Sequence, residues 1–279
     1  MRSDVMNSRQ PVAMVTGASS GIGKATALAL AAKGYRVFGT TRGKELKELG
    51  DVSSVTCDVT SDESVADAVS FVTKVAGRID LLVNNAGIGM LGALEDSSIG
   101  QHQDLFEVNV FGALRMMKAV LPGMRARKDG RIVNISSVLG FIPAPFSASY
   151  AASKHALEAY SASLDHEVRG SGVRVILIEP AYTQTSFDTN MLRPDEPKEQ
   201  FAHARANADK LIADVLEKAD SPATVARVVV KAAMAPYPRL RYPAGGVARQ
   251  LNVARKLLPE SVLDRILRKQ MRLDVAGRA

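Results

Sequence analysis

Val12-Ala13-Met14-Val15-Thr16-Gly17-Ala18-Ser19-Ser20-Gly21-Ile22-Gly23 is the stretch on which the fold turns. A short apolar run stops at a glycine-rich turn, and a helix-period stretch starts at once. A strand feeding a helix through such a turn opens a βαβ unit. The turn also has a chemical reading. Glycines let backbone approach a pyrophosphate, and a helix start offers free N–H groups and the positive end of its dipole. The spacing is Gly-x-x-x-Gly-x-Gly, not the Gly-x-Gly-x-x-Gly of the standard dinucleotide fingerprint. On spacing alone, a tight turn with no ligand stays open. No Gly-Lys-Ser/Thr ending follows, which argues against a nucleotide triphosphatase.

Outward from that stretch the alternation continues. Strands are expected at 12–15, 36–40, 52–57, 79–83, 131–136 and 173–179, and helices at 21–33, 62–76, 101–124 and 150–168. This pattern predicts an α/β fold, a Rossmann-like, doubly wound, open parallel sheet between two helix layers. Past residue 180 the order loosens. Residues 183–219 hold Pro194, Pro197 and many charges before a helix-like run, and read as a mobile flap. A helix at 222–234, a short strand at 240–242 and a helical tail at 246–272 complete the expectation. The whole, 1–279, reads as one domain with a core at 10–190, the flap and a C-terminal helical extension at 246–279.

Of the 279 residues, 46% are hydrophobic and 23% charged, which excludes a disordered or collagen-like chain. The single cysteine, Cys57, excludes a disulfide framework and a multi-thiolate zinc site. Placed in a strand, it reads as a small buried apolar residue. The four histidines show no ligand spacing, and no metal is expected. No apolar run approaches the roughly 18 residues that span a bilayer. Residues 1–10 are polar and lack the apolar stretch of a secretory signal. The chain therefore reads as soluble and cytoplasmic. The net charge is +7, but 12 of the 36 basic and 3 of the 29 acidic residues lie from Arg227 onward. The preceding body holds 24 basic against 26 acidic residues. The basic excess belongs to the tail, which weakens any nucleic-acid reading of the whole.

The second strand speaks to the nucleotide. A site for NAD wants a carboxylate about 20 residues past the glycine motif, on the ribose hydroxyls. Here the strand ends Thr40-Thr41-Arg42-Gly43-Lys44, with no carboxylate before Glu45. Arg42 offers a planar fork suited to a phosphate, and Lys44 and Lys47 add charge. This fits the 2′-phosphate of NADP(H); an ordinary solvated arginine at a helix start is the alternative. Further on, Tyr150 and Lys154 are four apart in a helical stretch, hence on one face. Free tyrosine titrates near 10, and bringing it to about 7 takes about 4 kcal/mol, much of which a nearby ammonium can supply. Such pairs are also common on exposed helix faces, and the pair alone decides nothing.

Taken together, Thr16-Gly17-Ala18-Ser19-Ser20-Gly21-Ile22-Gly23, Asn84-Asn85-Ala86-Gly87, Asn109, Ser136-Ser137 and Tyr150-x-x-x-Lys154 resemble the short-chain dehydrogenase/reductase superfamily, in its single-domain branch. The resemblance covers about residues 10–190. It implies a nicotinamide-dependent oxidoreductase on a seven-stranded parallel sheet. It also implies roles. Tyr150 would be the general acid/base, Ser137 would hydrogen-bond the substrate oxygen, and Lys154 would hold the ribose and lower the Tyr150 pKa. Asn109 would support a proton relay to Lys154. Asp58, with Val59 beside it, would meet the adenine, and Asn85, Ala86 and Gly87 would lie along the cofactor ribose. Gly17, Ser19, Ser20, Gly21, Ile22 and Gly23 would form the phosphate cradle. Pro180 stands where the family has Pro-Gly, followed here by Ala181. Thr183 and Thr185 would meet the nicotinamide end.

The expected substrate walls are Met90, Leu91, Leu139, Phe141, Ile142, Pro143, Phe146, Tyr182 and Phe187, a set that suits bulky apolar molecules. Some of these residues could equally pack the flap. The tail 259–273 sets Val262, Leu263, Ile266, Leu267 and Met271 against Arg265, Arg268, Lys269 and Arg272, an amphipathic helix. Its wording, with Arg241-Tyr242-Pro243, resembles steroid- and retinoid-type members. Residues 257–273 are expected to pack near the pocket mouth or a subunit contact, with membrane contact at most peripheral. The sequence-level conclusion is an NADP(H)-dependent interconversion of a lipophilic carbonyl and its alcohol, in a homodimer or homotetramer that binds no nucleic acid. A cofactor-binding regulatory or scaffold protein without turnover is the alternative.

Overall fold

The computed structural model describes residues 10–43, 49–187 and 191–270. Residues 1–9, Lys44 and Lys47, positions 188–190 of the flap, and Met271, Arg272 and Leu273 of the tail lie outside the described residues. Seven strands form one parallel sheet in the order β3-β2-β1-β4-β5-β6-β7. They are β1 Val12–Val15, β2 Arg36–Thr41, β3 Val52–Thr56, β4 Leu81–Asn84, β5 Gly130–Ile135, β6 Val173–Pro180 and β7 Arg241–Ala244. The chain runs outward from β1 to β3, then crosses back to β4. The connections leaving the paired C-terminal ends of β1 and β4 therefore run to opposite sides, and such a switch point opens the crevice where doubly wound sheets bind ligands.

The central strands pack on both faces. In β1, Met14 joins one core cluster with Phe38, Leu82, Met117, Met124 and Ile132, while Ala13 and Val15 join the other with Leu30, Val83, Val133, Ile176 and Val229. The first cluster is covered by α2 (Asp62–Ala76), α4 (Ala113–Arg127) and α5 (Ala148–Val168). The second is covered by α1 (Gly21–Ala31) and α7 (Pro222–Ala233). Strands buried on both sides read as continuous apolar runs, which is why the sequence pattern located them.

Three expectations change. The helix expected at 101–124 is α3 (Ile99–Phe106), a π turn (Glu107–Gly112) and α4. An inserted residue widens the turn and leaves apolar periodicity almost untouched, so a pattern search passes over it. The strand expected at 240–242 extends to Ala244 and includes Pro243. Proline is tolerated there because β7 is an edge strand, paired with β6 alone. The tail is two helices, α8 (Gly246–Leu257) and α9 (Glu260–Gln270). Leu258 is extended, at φ −90° and ψ 140°, because Pro259 bars the helical conformation from the residue before it.

The two tail helices pack unequally. α8 docks on the body through the fully buried Ala248, beside β7 and the turn at Val138–Gly140. α9 meets α8 at their joint, and Leu257, Val262 and Ile266 remain exposed by 76%, 37% and 43%. The described flap carries α6 (Ala202–Leu216) and is tied to the body. Leu192 pairs with Met90, and its N–H donates to Gly89 O at 2.8 Å. The buried Asp96 accepts from Lys198 N at 2.9 Å and Arg205 Nη1 at 2.7 Å. Burial pushes the Asp96 carboxyl up, but these donors outweigh it and hold it below the usual range. Among the described residues, no helix is long and apolar enough to cross a membrane.

Candidate active site

The glycine loop lies at the switch point and is shaped by the residues that follow β4. Asn85 Nδ2 donates to Thr16 O at 2.9 Å and Gly17 O at 3.1 Å, while Thr16 Oγ1 accepts from the backbone N–H groups of Asn85 and Ala86 at 2.9 and 3.0 Å. Gly17 turns at φ +64°, a left-handed conformation that favours glycine. Gly23 is required by space, since a Cβ there would fall 2.2 Å from Gly17 O and 2.4 Å from Asn85 Nδ2. The N-cap of α1, Ser20, makes no side-chain cap, and no acidic residue occupies the first turn. Ser19 and Ser20 are exposed, and Ile22 is half-buried. Free N–H groups at an uncapped, acid-free helix start form an anion site.

The flap reaches this loop. A Cβ on Gly21 would meet the Thr185 side chain at 3.1 Å, and Ser186 Oγ donates to Ser20 Oγ at 3.1 Å. Thr183 is buried and turns its hydroxyl onto Ala181 O at 3.1 Å, close after Pro180 at the end of β6. Arg42 is exposed at the end of β2, and its charge acts on Asp58 at the end of β3. The Asp58 carboxyl sits below its usual range, chiefly because Thr60 N–H donates to it. Val59 is buried against Gly112. The Cys57 thiol is buried and is pushed up to about 11, first by burial.

The Tyr-Lys pair stands on α5 beside the turn that follows β5. Lys154 is buried and donates from Nζ to Ile135 O at 2.9 Å. The ammonium lies 5.7 Å from the centre of the Tyr150 ring. Burial lowers its pKa to about 8, opposed by the negative charge of Glu158. The Tyr150 ring packs on Phe187 with centroids 5.9 Å apart. Asn109 is buried in the π turn. It accepts from Ile88 N at 2.9 Å, donates to Ile88 O at 2.9 Å, and donates to Ser153 Oγ at 3.1 Å. Ser153 in turn donates to Tyr150 O at 2.7 Å. Gly87 completes the contact, because a Cβ there would press on Asn109 Oδ1 at 3.1 Å and near Lys154 Nζ at 3.8 Å. Ser137 follows β5 and accepts from Leu139 N at 3.1 Å.

Of the expected substrate walls, Met90 and Phe146 meet the flap, and Phe187 belongs to it. A Cβ on Gly89 would strike Phe187 Cε1 at 2.8 Å, which shows how closely that ring covers the loop. Phe146 lines a cavity of about 290 Å³ with Leu91, Arg193, Pro194 and Arg205, and holds a left-handed φ of +59°. Leu139 and Phe141 are half-buried and Tyr182 is 39% exposed, whereas Ile142 is buried in the interior and Pro143 points outward.

One cluster was missed in the sequence. One turn beyond Lys154, Glu158 lies buried, and Arg241 Nε donates to its Oε2 at 2.8 Å. The same guanidinium lies 3.5 Å from Glu179 Oε1, and Asn252 of α8 donates to Glu179 Oε2 at 3.3 Å. Two carboxylates share one arginine, so burial and then mutual repulsion push Glu179 up to about 7. The signal was present: Glu179 is a charge in the apolar run Val175-Ile176-Leu177-Ile178. A raised carboxyl is protonated more readily folded than unfolded. Stability should therefore fall as pH rises from about 4.5 to about 7, by up to about 3 kcal/mol. Glu179→Gln should flatten that fall, as read by denaturant unfolding across the window; an unchanged slope would contradict the assignment.

Comparison with known proteins adds to this geometry. Residues 11–196 match the family model for short chain dehydrogenases. Over 260 residues the chain is 35% identical to a 3-ketodihydrosphingosine reductase of Bacteroides thetaiotaomicron, spanning 92% of this chain and 96% of that one. Over 192 residues it is 42% identical to retinol dehydrogenase 8 of Homo sapiens, spanning 64% and 61%. Among solved structures, a short chain dehydrogenase/reductase from Burkholderia phymatum in complex with NAD superposes with a TM-score of 0.78 at 26% identity, over 92% of this chain and 95% of that one. A short chain dehydrogenase from Burkholderia cenocepacia in complex with NADP superposes at 0.75 and 27%, over 93% and 98%.

Proposed function

The chain belongs to the short-chain dehydrogenase family, a family of oxidoreductases, and on that premise we propose that it interconverts a bulky lipophilic ketone or aldehyde and its alcohol with NADP(H). The observation that carries this reading is the buried Lys154 ammonium, set 5.7 Å from the Tyr150 ring centre and held by Ile135 O at 2.9 Å. A group titrating near 8 is still mostly charged at neutral pH, and a cation at that distance favours the phenolate of Tyr150.

The residues fit a dinucleotide. The cradle at Gly17 and Gly23 admits backbone only, and the uncapped start of α1 faces it. Gly17, Ser19, Ser20, Gly21, Ile22 and Gly23 would hold the pyrophosphate. Arg42 would hold the 2′-phosphate, with Asp58 and the Val59 backbone at the adenine. Asn85, Ala86, Gly87 and Lys154 would line the ribose, and Pro180, Thr183 and Thr185 the nicotinamide end. When bound, the cofactor supplies or accepts a hydride. Tyr150 donates its proton to the carbonyl oxygen in reduction and removes the alcohol proton in oxidation. Ser137 donates a hydrogen bond to the same oxygen as charge develops there. Asn109, fixed by Ile88 and Ser153, holds the proton route beside Lys154.

Two observations support the finer points. Arg42 with uncharged Thr41 at the end of β2 supports NADPH over NADH. The names of the two relatives, a sphingoid ketone reductase and a retinol dehydrogenase, support a lipophilic substrate for this chain. NADPH should bind more tightly than NADH, and Arg42→Ala should remove most of the difference. A charge-assisted phosphate contact of about 1.5–3 kcal/mol corresponds to about 10- to 150-fold. Titration of both cofactors checks this, and equal dissociation constants in the unmodified protein would contradict it. The function as a whole is tested by NADPH consumption with a panel of long-chain, steroid and polyene carbonyls beside small polar ones. Turnover confined to the lipophilic set is expected; turnover confined to the small polar ones would overturn the substrate class.

A further inference from the structure

We propose that α8 and α9 form a docking surface for a lipid bilayer that bears anionic headgroups. α8 uses its inner face, Ala248 and Asn252, to hold the body, and Arg255 Nε donates to Phe141 O at 3.3 Å. What remains outside is apolar beyond need. Leu257, Leu258, Val262 and Ile266 are exposed by 76%, 37%, 37% and 43% and lie at the α8–α9 joint and along one side of α9. Positions 262 and 266 share a helix face. Arg265 and Lys269, exposed and also four apart, lie along the edge of that apolar stripe, three residues on from Val262 and Ile266.

Charge selects the occupant. Residues 246–270 carry six basic and two acidic side chains, while the chain before Arg227 is slightly acidic. A second copy set face to face would bring two positive surfaces together. An anionic bilayer instead takes the apolar side chains at the headgroup boundary and pairs with the long cationic ones around them. The Leu258-Pro259 break separates α9 from α8, and α8 is tied through Arg255 to the loop that holds Phe141. The bilayer would thus lie beside the expected pocket mouth, from which a lipophilic substrate could pass without crossing water. The surface itself does not rest on that reading, because binding to lipid needs no turnover.

The test is co-sedimentation of the full chain with phosphatidylcholine vesicles, alone and mixed with phosphatidylglycerol. Binding to the mixed vesicles should be at least about 10-fold tighter and should weaken with salt. Val262→Glu with Ile266→Glu, both at exposed positions, should lower it at least about 10-fold. Arg265→Gln with Lys269→Gln should lower it about 10- to 30-fold, near the effect of two surface cations. NADPH affinity should be unchanged in every variant, which shows that each is folded. The proposal is overturned if the unmodified chain ignores anionic vesicles, or if the double Glu variant binds them equally well. It is also overturned if light scattering shows a dimer that the Glu variant dissociates while no vesicle binding occurs, because a second copy then covers the face.

Discussion

Tyr150→Phe should lower turnover by at least about 10²-fold, the lower range for losing a general acid or base. The reason is chemical rather than structural. The substitution removes one hydroxyl, keeps the ring that packs on Phe187, and leaves Ser153 bonded to the residue 150 carbonyl. The protein should therefore fold normally and bind NADPH almost as before. Lys154 stays anchored to Ile135 O, so the residue proposed to hold the ribose keeps its place. Turnover and cofactor titration are measured together. Near-normal turnover in this variant would remove Tyr150 from the chemistry, whereas lost cofactor binding would mean that the hydroxyl had a structural duty.

The second large effect is at the glycine loop. Gly23→Ala places a methyl where only 2.2 Å separates it from Gly17 O and 2.4 Å from Asn85 Nδ2. Both are fixed: Asn85 Nδ2 bonds Thr16 O and Gly17 O, and neither is the far end of a flexible chain. The loop must open, breaking those bonds, at a cost of about 1–3 kcal/mol of overpacking together with a lost hydrogen bond or two. The displaced backbone is the surface that would meet the pyrophosphate. Dinucleotide affinity should fall at least about 10²-fold, with a lower melting temperature. Gly34→Ala is the control, since Gly34 meets nothing within 4 Å; its own φ of +85° makes only local strain. Retained affinity in Gly23→Ala would show that the loop is not the binding surface.

The fold was readable because a buried parallel sheet leaves long signals. Val12–Val15 and residues 175–178 are apolar runs within strands, and the helices between them bury one face each. The glycine loop was readable because Gly17 and Gly23 answer to backbone geometry that few other residues meet. The pairing of Tyr150 with Lys154 followed from helical spacing. Other features did not follow. The π turn around Asn109 changes hydrogen bonding, not residue type, so apolar periodicity ran through it as one helix. The break at Leu258 could have been found, since Pro259 restricts its predecessor, but the amphipathic pattern on both sides concealed it. Glu158 is on the Lys154 face by spacing alone. Its partner Arg241 is 83 residues away and comes to it only through the pairing of β6 with β7. Nothing local predicts such a contact.

The central claim is that Lys154 and Tyr150 together make an oxidoreductase site, and one measurement addresses it most directly. NADPH deuterated at the nicotinamide C4 is incubated with the protein and the panel of lipophilic carbonyls, and the alcohol products are examined by mass spectrometry. The account predicts that deuterium appears on the carbinol carbon with the unmodified protein, and that the yield falls at least about 10²-fold with Tyr150→Phe. Tight binding of NADPH with no label transferred to any carbonyl in the panel would contradict it, and would favour a protein that holds the cofactor without turning it over.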